Sequence, residues 1–232
     1  MPIFNIWQNG QMPPFQHIYD ENTLLLLHGE DLTDASQYAI QITNSGATVS
    51  ADQSKFGGKS LYFDGSSYMK IGISGAAKTV SFWMYPTQGQ TSGKYPTPFS
   101  IIIPSSTSPT RTYLHQYDGT SSAYPLYRVL KGNYTSGEYG SAIISPNLWH
   151  NVEYCFDGSS THYWFLNGVL QTTLTMGIDV YTELYIGVLA LGDRYSKVDA
   201  NTYFTGYVDE FYVSAECKHT SNFTPPTKPY AR

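Results

Sequence analysis

The run Thr161-His162-Tyr163-Trp164-Phe165-Leu166-Asn167-Gly168-Val169-Leu170-Gln171-Thr172-Thr173-Leu174-Thr175 decides how the rest of the chain is read. Aromatic and β-branched residues fill both arms, which suits a pleated, half-buried surface. Asn-Gly between the arms tolerates positive φ at both positions, and that turn matches the twist of two antiparallel strands. The stretch predicts a hairpin, 161–166 against 169–175.

Working outward, the same pattern recurs. Trp149 to Phe156 alternates and stops at Asp157-Gly158. Lys78 to Tyr85 sets Val80, Phe82 and Met84 on one face and Ser81 and Trp83 on the other, and stops at Pro86. Thr23 to His28 is an apolar run short enough for a core strand. Strands are also predicted at 61–63, 68–73, 99–103, 184–187 and 207–213, with 111–117 and 125–130 paired across Asp118-Gly119. No amphipathic helix, no βαβ alternation and no repeat of fixed period interrupts the series. The expected fold is all-β, a sandwich of two antiparallel sheets.

Composition agrees. Among 232 residues, Gly and Pro number 20 and 13, Tyr numbers 21, and charged residues are only 13%. The net charge of −5 gives no phosphate-tracking surface, so nucleic acid is not expected as a partner. No run reaches the roughly 18 apolar residues that cross a bilayer, so membrane insertion is not expected. The opening Met1-Pro2-Ile3-Phe4-Asn5 lacks the basic and apolar regions of a cleaved signal. Residues 1–20, punctuated by Pro2, Gly10, Pro13 and Pro14, read as an arm that either lies on its own domain or docks a partner chain. The domain proper is expected over 21–232. Cys155 and Cys217 are either one bridge or two free thiols, with no requirement for them in folding.

The order of several phrases carries a resemblance. Leu24-Leu25-Leu26-Leu27-His28 is followed by Lys55-Phe56-Gly57-Gly58-Lys59-Ser60-Leu61-Tyr62-Phe63-Asp64-Gly65 and by Thr79-Val80-Ser81-Phe82-Trp83-Met84-Tyr85-Pro86. Leu148-Trp149-His150-Asn151-Val152 and Trp164-Phe165-Leu166-Asn167-Gly168 come next. The close is Gly206-Tyr207-Val208-Asp209-Glu210-Phe211-Tyr212-Val213, then Asn222-Phe223-Thr224-Pro225-Pro226. Over about residues 22–228 the chain resembles the concanavalin A-like lectin/glucanase superfamily, in its laminin-G-like or pentraxin-like branch. The closing phrase is similar to modules of bacteriophage tail and other virion proteins. The resemblance implies a jelly-roll sandwich in a virion or extracellular setting. Its role there is recognition or adhesion toward a glycan or host-surface receptor, or a structural virion role with protein contacts through residues 1–20.

Catalysis is not expected. The superfamily's Glu-x-Asp-x-x-Glu pattern is absent, Glu153 is flanked at two residues by Asn151 and Cys155, and adjacent Asp209 and Glu210 point to opposite faces unless a bulge intervenes. No His-x-x-x-His or Cys-x-x-Cys supports zinc, and His150 reads as structural. The resemblance implies a structural Ca²⁺ held partly by Asp34 and Asp209. The alternative is a turn aspartate at 34 and a loop hydrogen-bond acceptor at 209. For glycan contact the candidates are Tyr113, Tyr117, Tyr124, Tyr134 and Tyr139, from a segment rich in Ser, Gly and Asn, with Tyr95, Tyr195 and Trp164 beside them. Each of these aromatics is equally a strand-packing residue.

Overall fold

At the decisive turn, Asn167 and Gly168 both take positive φ, 51° and 76°. They join β12 (Thr161–Leu166) to β13 (Val169–Thr175) as the sequence predicts. The computed structural model describes residues 20–73, 77–88, 94–103, 110–115, 126–131, 134–177, 181–191 and 198–231. The arm up to residue 19 lies outside them.

The remaining strands are β1 (Thr23–Leu27), β2 (Ile42–Ser45), β3 (Thr48–Ser50), β4 (Ser60–Asp64), β5 (Tyr68–Gly72), β6 (Thr79–Pro86) and β7 (Phe99–Ile103). They continue with β8 (Thr110–His115), β9 (Leu126–Lys131), β10 (Tyr134–Tyr139), β11 (His150–Phe156), β14 (Glu183–Ile186) and β15 (Thr205–Ser214). The larger sheet runs β13-β12-β11-β6-β15-β4-β3, with β1 also paired to β15. The second runs β10-β9-β8-β7-β14-β5-β2, and the pairings between strands are antiparallel. No helix occurs among the described residues, so none there is long and apolar enough to cross a membrane.

The core lies between the sheets. Val80, Phe82 and Met84 of β6, Val152 and Tyr154 of β11 and Trp164 of β12 meet Phe99, Ile101, Leu114, Leu184 and Ile186 of the second sheet. Phe82 lies 5.4 Å from the Phe99 ring and 5.1 Å from the Phe211 ring. Interlocking rings of this kind contribute beyond their burial alone. A smaller cluster of Ile102, Tyr185, Val188 and Ala190 packs apart from it, with Tyr68, Val198 and Tyr203 against it.

Strand β15 organises the larger sheet. Its first half pairs with β4, its second half with β1, and β6 runs along its other side. The register shifts between Asp209 and Tyr212, and Glu210 takes φ 49°. This is the bulge that the adjacent acids required to share a face. Gly206 sits earlier on the strand at φ 150°, where a Cβ would lie 2.3 Å from the Tyr85 carbonyl oxygen. The close approach of β6 to β15 there admits only a glycine, and the bulge falls further along.

Candidate functional site

The outward-facing residues of the larger sheet form two cross-strand rows. Glu153 opposes Ser81, which opposes Tyr212; Asn151 opposes Trp83, which opposes Asp209. Almost none of these two rows meets water, because irregular segments cover them. Trp83 is buried beneath Phe56, at 6.1 Å, and beneath the Lys55 ammonium, 3.8 Å from its ring centre.

Residues 215–231 cover the other row. The Thr79 hydroxyl donates to the Glu216 carbonyl (2.7 Å) and accepts from Lys218 N–H (3.0 Å). His219 Nδ1 lies 2.6 Å from Glu153 Oε1, and Phe223 stacks on the His219 ring at 3.8 Å. Phe223 N–H donates to the Gly168 carbonyl, and Leu170 N–H to Asn222 Oδ1, so the β12–β13 hairpin anchors the segment. Tyr230 then stacks on Tyr212 at 4.5 Å, donates through its hydroxyl to Ser81 Oγ (3.2 Å), and donates its N–H to Glu210 Oε2 (2.8 Å). Burial pushes the Tyr230 hydroxyl well above its ordinary pKa.

A cleft of about 380 Å³ remains between this segment and the sheet. Its walls are Tyr212, Phe223, Pro226 and Tyr230, and its polar groups come from Asp20, Glu153, Lys218 and His219. Asp20 Oδ2 accepts from the Lys218 ammonium (3.1 Å) and from the Tyr212 hydroxyl (3.2 Å). Burial works against the Lys218 charge, but Glu216 and Asp20 outweigh it and hold the ammonium above its usual pKa. A second depression, about 240 Å³, lies across Tyr230 and is lined by His28, Glu30, Phe56 and Glu210. A third, about 180 Å³, lies by Gln88, Lys94 and Tyr203. Of the three, only the first reaches the roughly 300–1,000 Å³ usual for ligand pockets, and it joins apolar walls to a few polar groups.

The buried acids Glu153 and Glu210 are each engaged by other groups of the chain. Glu153 Oε1 takes both the His219 ring nitrogen and the Cys155 thiol (3.3 Å). Glu210 takes His28 Nδ1 (2.7 Å) through one oxygen and Tyr230 N–H through the other. Each buried acid thus serves an anchoring partner, and no acid–nucleophile pair faces a shared cleft among the described residues.

The expected sites fare differently. Asp34 is buried, with Oδ1 accepting N–H of Leu26 and Ser36 and Oδ2 accepting Ser36 Oγ–H and Ile40 N–H. It closes the free edge of β1. Asp209 Oδ2 accepts N–H of Lys55 (2.7 Å) and Phe56 (3.1 Å), while its buried Oδ1 has no hydrogen-bond partner. Burial, with Glu210 as a further charge, raises Asp209 to about 6. Four donors point at the Asp34 oxygens and two at Asp209 Oδ2. The Asp34 oxygens are thus fully engaged, and the pair leaves a shared cation only Asp209 Oδ1 toward the six to eight oxygens of a calcium shell, a set that by itself does not fit one. No group of three or more His, Cys, Asp or Glu is placed to hold a metal among the described residues.

Tyr113 is 3% exposed and packs on His115 at 4.6 Å, which leaves it no free face for a ligand. Trp164 is a core residue, fully buried. Tyr95 stands 37% exposed beside His115. Tyr134 and Tyr139 bound β10, an edge strand, while Tyr117, Tyr124 and Tyr195 lie outside the described residues. His150 is structural: it opens β11, is buried, and meets the Ser145 carbonyl at 2.9 Å. The cleft itself escaped the sequence reading. Its residues come from positions 20, 23, 153 and 212 and from between 218 and 231, and no local pattern links them.

No curated protein matches the chain. Solved structures do. Domain 4 of AbnA, a GH43 extracellular arabinanase from Geobacillus stearothermophilus in complex with arabinotriose, superposes with a TM-score of 0.59 at 19% identity, over 84% of this chain and 93% of that one. The binding domain of Paraclostridial Mosquitocidal Protein 1 gives 0.61 at 12%, over 85% and 50%. A botulinum neurotoxin type C structure, whose cell entry depends on two ganglioside molecules, gives 0.58 at 14%, over 85% and 49%. The chain spans about half the length of the two toxin chains. Identities this low carry the fold alone. The model of one family, described as the concanavalin A-like lectin/glucanases superfamily, matches residues 63–219, more than half of the chain. By that match and by its two-sheet architecture, the chain belongs to the concanavalin A-like lectin/glucanase superfamily.

Proposed function

We propose that this domain is a non-catalytic recognition module that binds carbohydrate in the cleft over the larger sheet. The observation that carries the reading is the cleft of about 380 Å³, with aromatic walls and the Asp20–Lys218 pair at its edge. Sugars offer apolar ring faces to aromatics and hydroxyls to paired charges, and this lining supplies both. The arabinotriose of the AbnA domain and the gangliosides of the neurotoxin agree with such a role on this fold. The setting proposed is an extracellular surface and, on the closing Asn222-Phe223-Thr224-Pro225-Pro226 phrase, a virion. Tyr117, Tyr124, Tyr134 and Tyr139 are proposed as a separate contact surface, on composition alone.

Calorimetric titration with arabinotriose and with a ganglioside head-group oligosaccharide tests this. One of them is expected to bind, Lys218→Ala is expected to weaken binding about tenfold, and Tyr134→Ala is expected to leave it unchanged. If Tyr134→Ala abolishes binding while Lys218→Ala does not, the site lies on the tyrosine-rich surface. If neither sugar binds, the reading fails for these two classes.

A further inference from the structure

Two cysteines 62 positions apart in sequence meet beneath the C-terminal segment. Cys155 faces outward from β11 and is fully buried by that segment, whereas Cys217 is half-buried and reachable from solvent. One hydroxyl fixes their relation. Thr79 Oγ1 lies 3.3 Å from Cys155 Sγ, donates to the carbonyl of Glu216, and accepts from the N–H of Lys218. Both residues flanking Cys217 are therefore held over the Cys155 sulfur. Cys155 also donates its S–H to Glu153 Oε1 at 3.3 Å, a carboxylate already steadied by His219 Nδ1. The Cys217 thiol donates to the His219 carbonyl at 3.7 Å. The nearby Cys155 thiol lowers Cys217 below its ordinary pKa, while burial pushes Cys155 far up.

We propose that Cys155 and Cys217 are a reactive dithiol that a small-molecule disulfide oxidises to an internal bond, pinning the C-terminal segment to the larger sheet. The roles follow from placement. The accessible Cys217 thiolate attacks one sulfur of glutathione disulfide. The reagent's S–S bond breaks, a Cys217–glutathione disulfide forms, and one glutathione leaves as thiolate. Cys155 then loses its proton to Glu153, and its sulfur attacks the Cys217 sulfur. The second glutathione leaves as thiolate and is protonated from solvent. The protein has lost two hydrogens, and the reagent has been reduced to two thiols. Lys218 and His219, which line the cleft, follow Cys217 directly, so the bond fixes one wall of that cleft. The proposal does not depend on what the cleft binds.

The test uses the full chain, reduced and freed of reductant, then treated with glutathione disulfide near pH 8. Thiol titration after denaturation is expected to fall from two groups to none, with a mass loss of about 2 Da and a linked peptide pair containing Cys155 and Cys217. The melting temperature is expected to rise by roughly 5–10 °C, and reductant is expected to reverse it. Cys155→Ser is expected to stop at a glutathione adduct on Cys217, and Cys217→Ser to leave Cys155 unreacted while folded. Two results would overturn the proposal: both wild-type thiols stay unreacted, or a stable glutathione adduct accumulates on wild-type Cys217 with no linked peptide. Both are read on the wild-type chain, so neither depends on a variant that fails to fold.

Discussion

Asp34 and Asp209 show how far a residue's neighbours decide its chemistry. Asp34 serves four donors, one on β1 and three on the loop that follows it. Asp34→Ala strands those buried donors and is expected to cost about 3–5 kcal/mol, read by denaturant unfolding. Asp209 leaves one oxygen unserved, and its folded pKa of about 6 stands above the ordinary 3.8. A carboxyl raised on folding binds its proton more tightly in the folded state. Its contribution is therefore most favourable below about pH 4 and is lost as pH rises from about 4 to about 6, a change of up to about 3 kcal/mol. Asp209→Asn keeps an oxygen for the Lys55 and Phe56 amides and removes the titration. Melting curves between pH 4 and 7 are expected to show that slope in the wild type and to lose it in the variant. Chelation is expected to leave the melting temperature unchanged, since the Asp34 oxygens are taken by four donors and the pair leaves only Asp209 Oδ1 unengaged. The sequence offered both roles for these acids, metal ligand and hydrogen-bond acceptor. Which one holds depends on backbone amides at 26, 36, 40, 55 and 56, and their approach is a tertiary fact.

Elements were legible where burial wrote a pattern. The strands of the interior, β6, β11, β12 and β15, stand near their expected bounds because one face of each fills the core. The strands absent from the sequence reading are β2, β3 and β10. All three are edge strands, with polar sequences such as Ile42-Thr43-Asn44-Ser45 and Thr48-Val49-Ser50. An edge strand pairs on one side only and buries little, so no alternation marks it. The bulge at Asp209 and Glu210 was equally silent, being set by the exchange of partners from β4 to β1 along β15. The Asn167-Gly168 turn was plain, yet it does more than close a hairpin. A Cβ on Gly168 would lie 2.1 Å from the Phe223 carbonyl oxygen, at a positive φ. Gly168→Ala is therefore expected to lift the C-terminal segment and lower the melting temperature by roughly 3–10 °C. Hydrogen exchange at the Phe223 amide, bonded to Gly168 in the wild type, is expected to accelerate in the same variant.

At the scale of the whole molecule, two sheets make the frame and the C-terminal segment makes one wall of the cleft proposed as the site. A sandwich of this kind normally leaves one face of each sheet to solvent. Here the outer face of the larger sheet carries Glu153, Asp209 and Glu210, each at most 2% exposed, because residues 28–30, 55–57 and 215–231 lie over it. The fold was readable from turns and alternation. The cleft was not, because it exists only where distant segments meet over the sheet. The account's central claim is that this cleft takes a sugar, and amide spectra of the labelled chain during titration with arabinotriose and with a ganglioside head-group oligosaccharide test it most directly. The account predicts that one of them shifts the amides of Glu153, Tyr212 and residues 218–226, saturably and together. Saturable shifts confined to residues away from those positions, or none with either sugar, would contradict it.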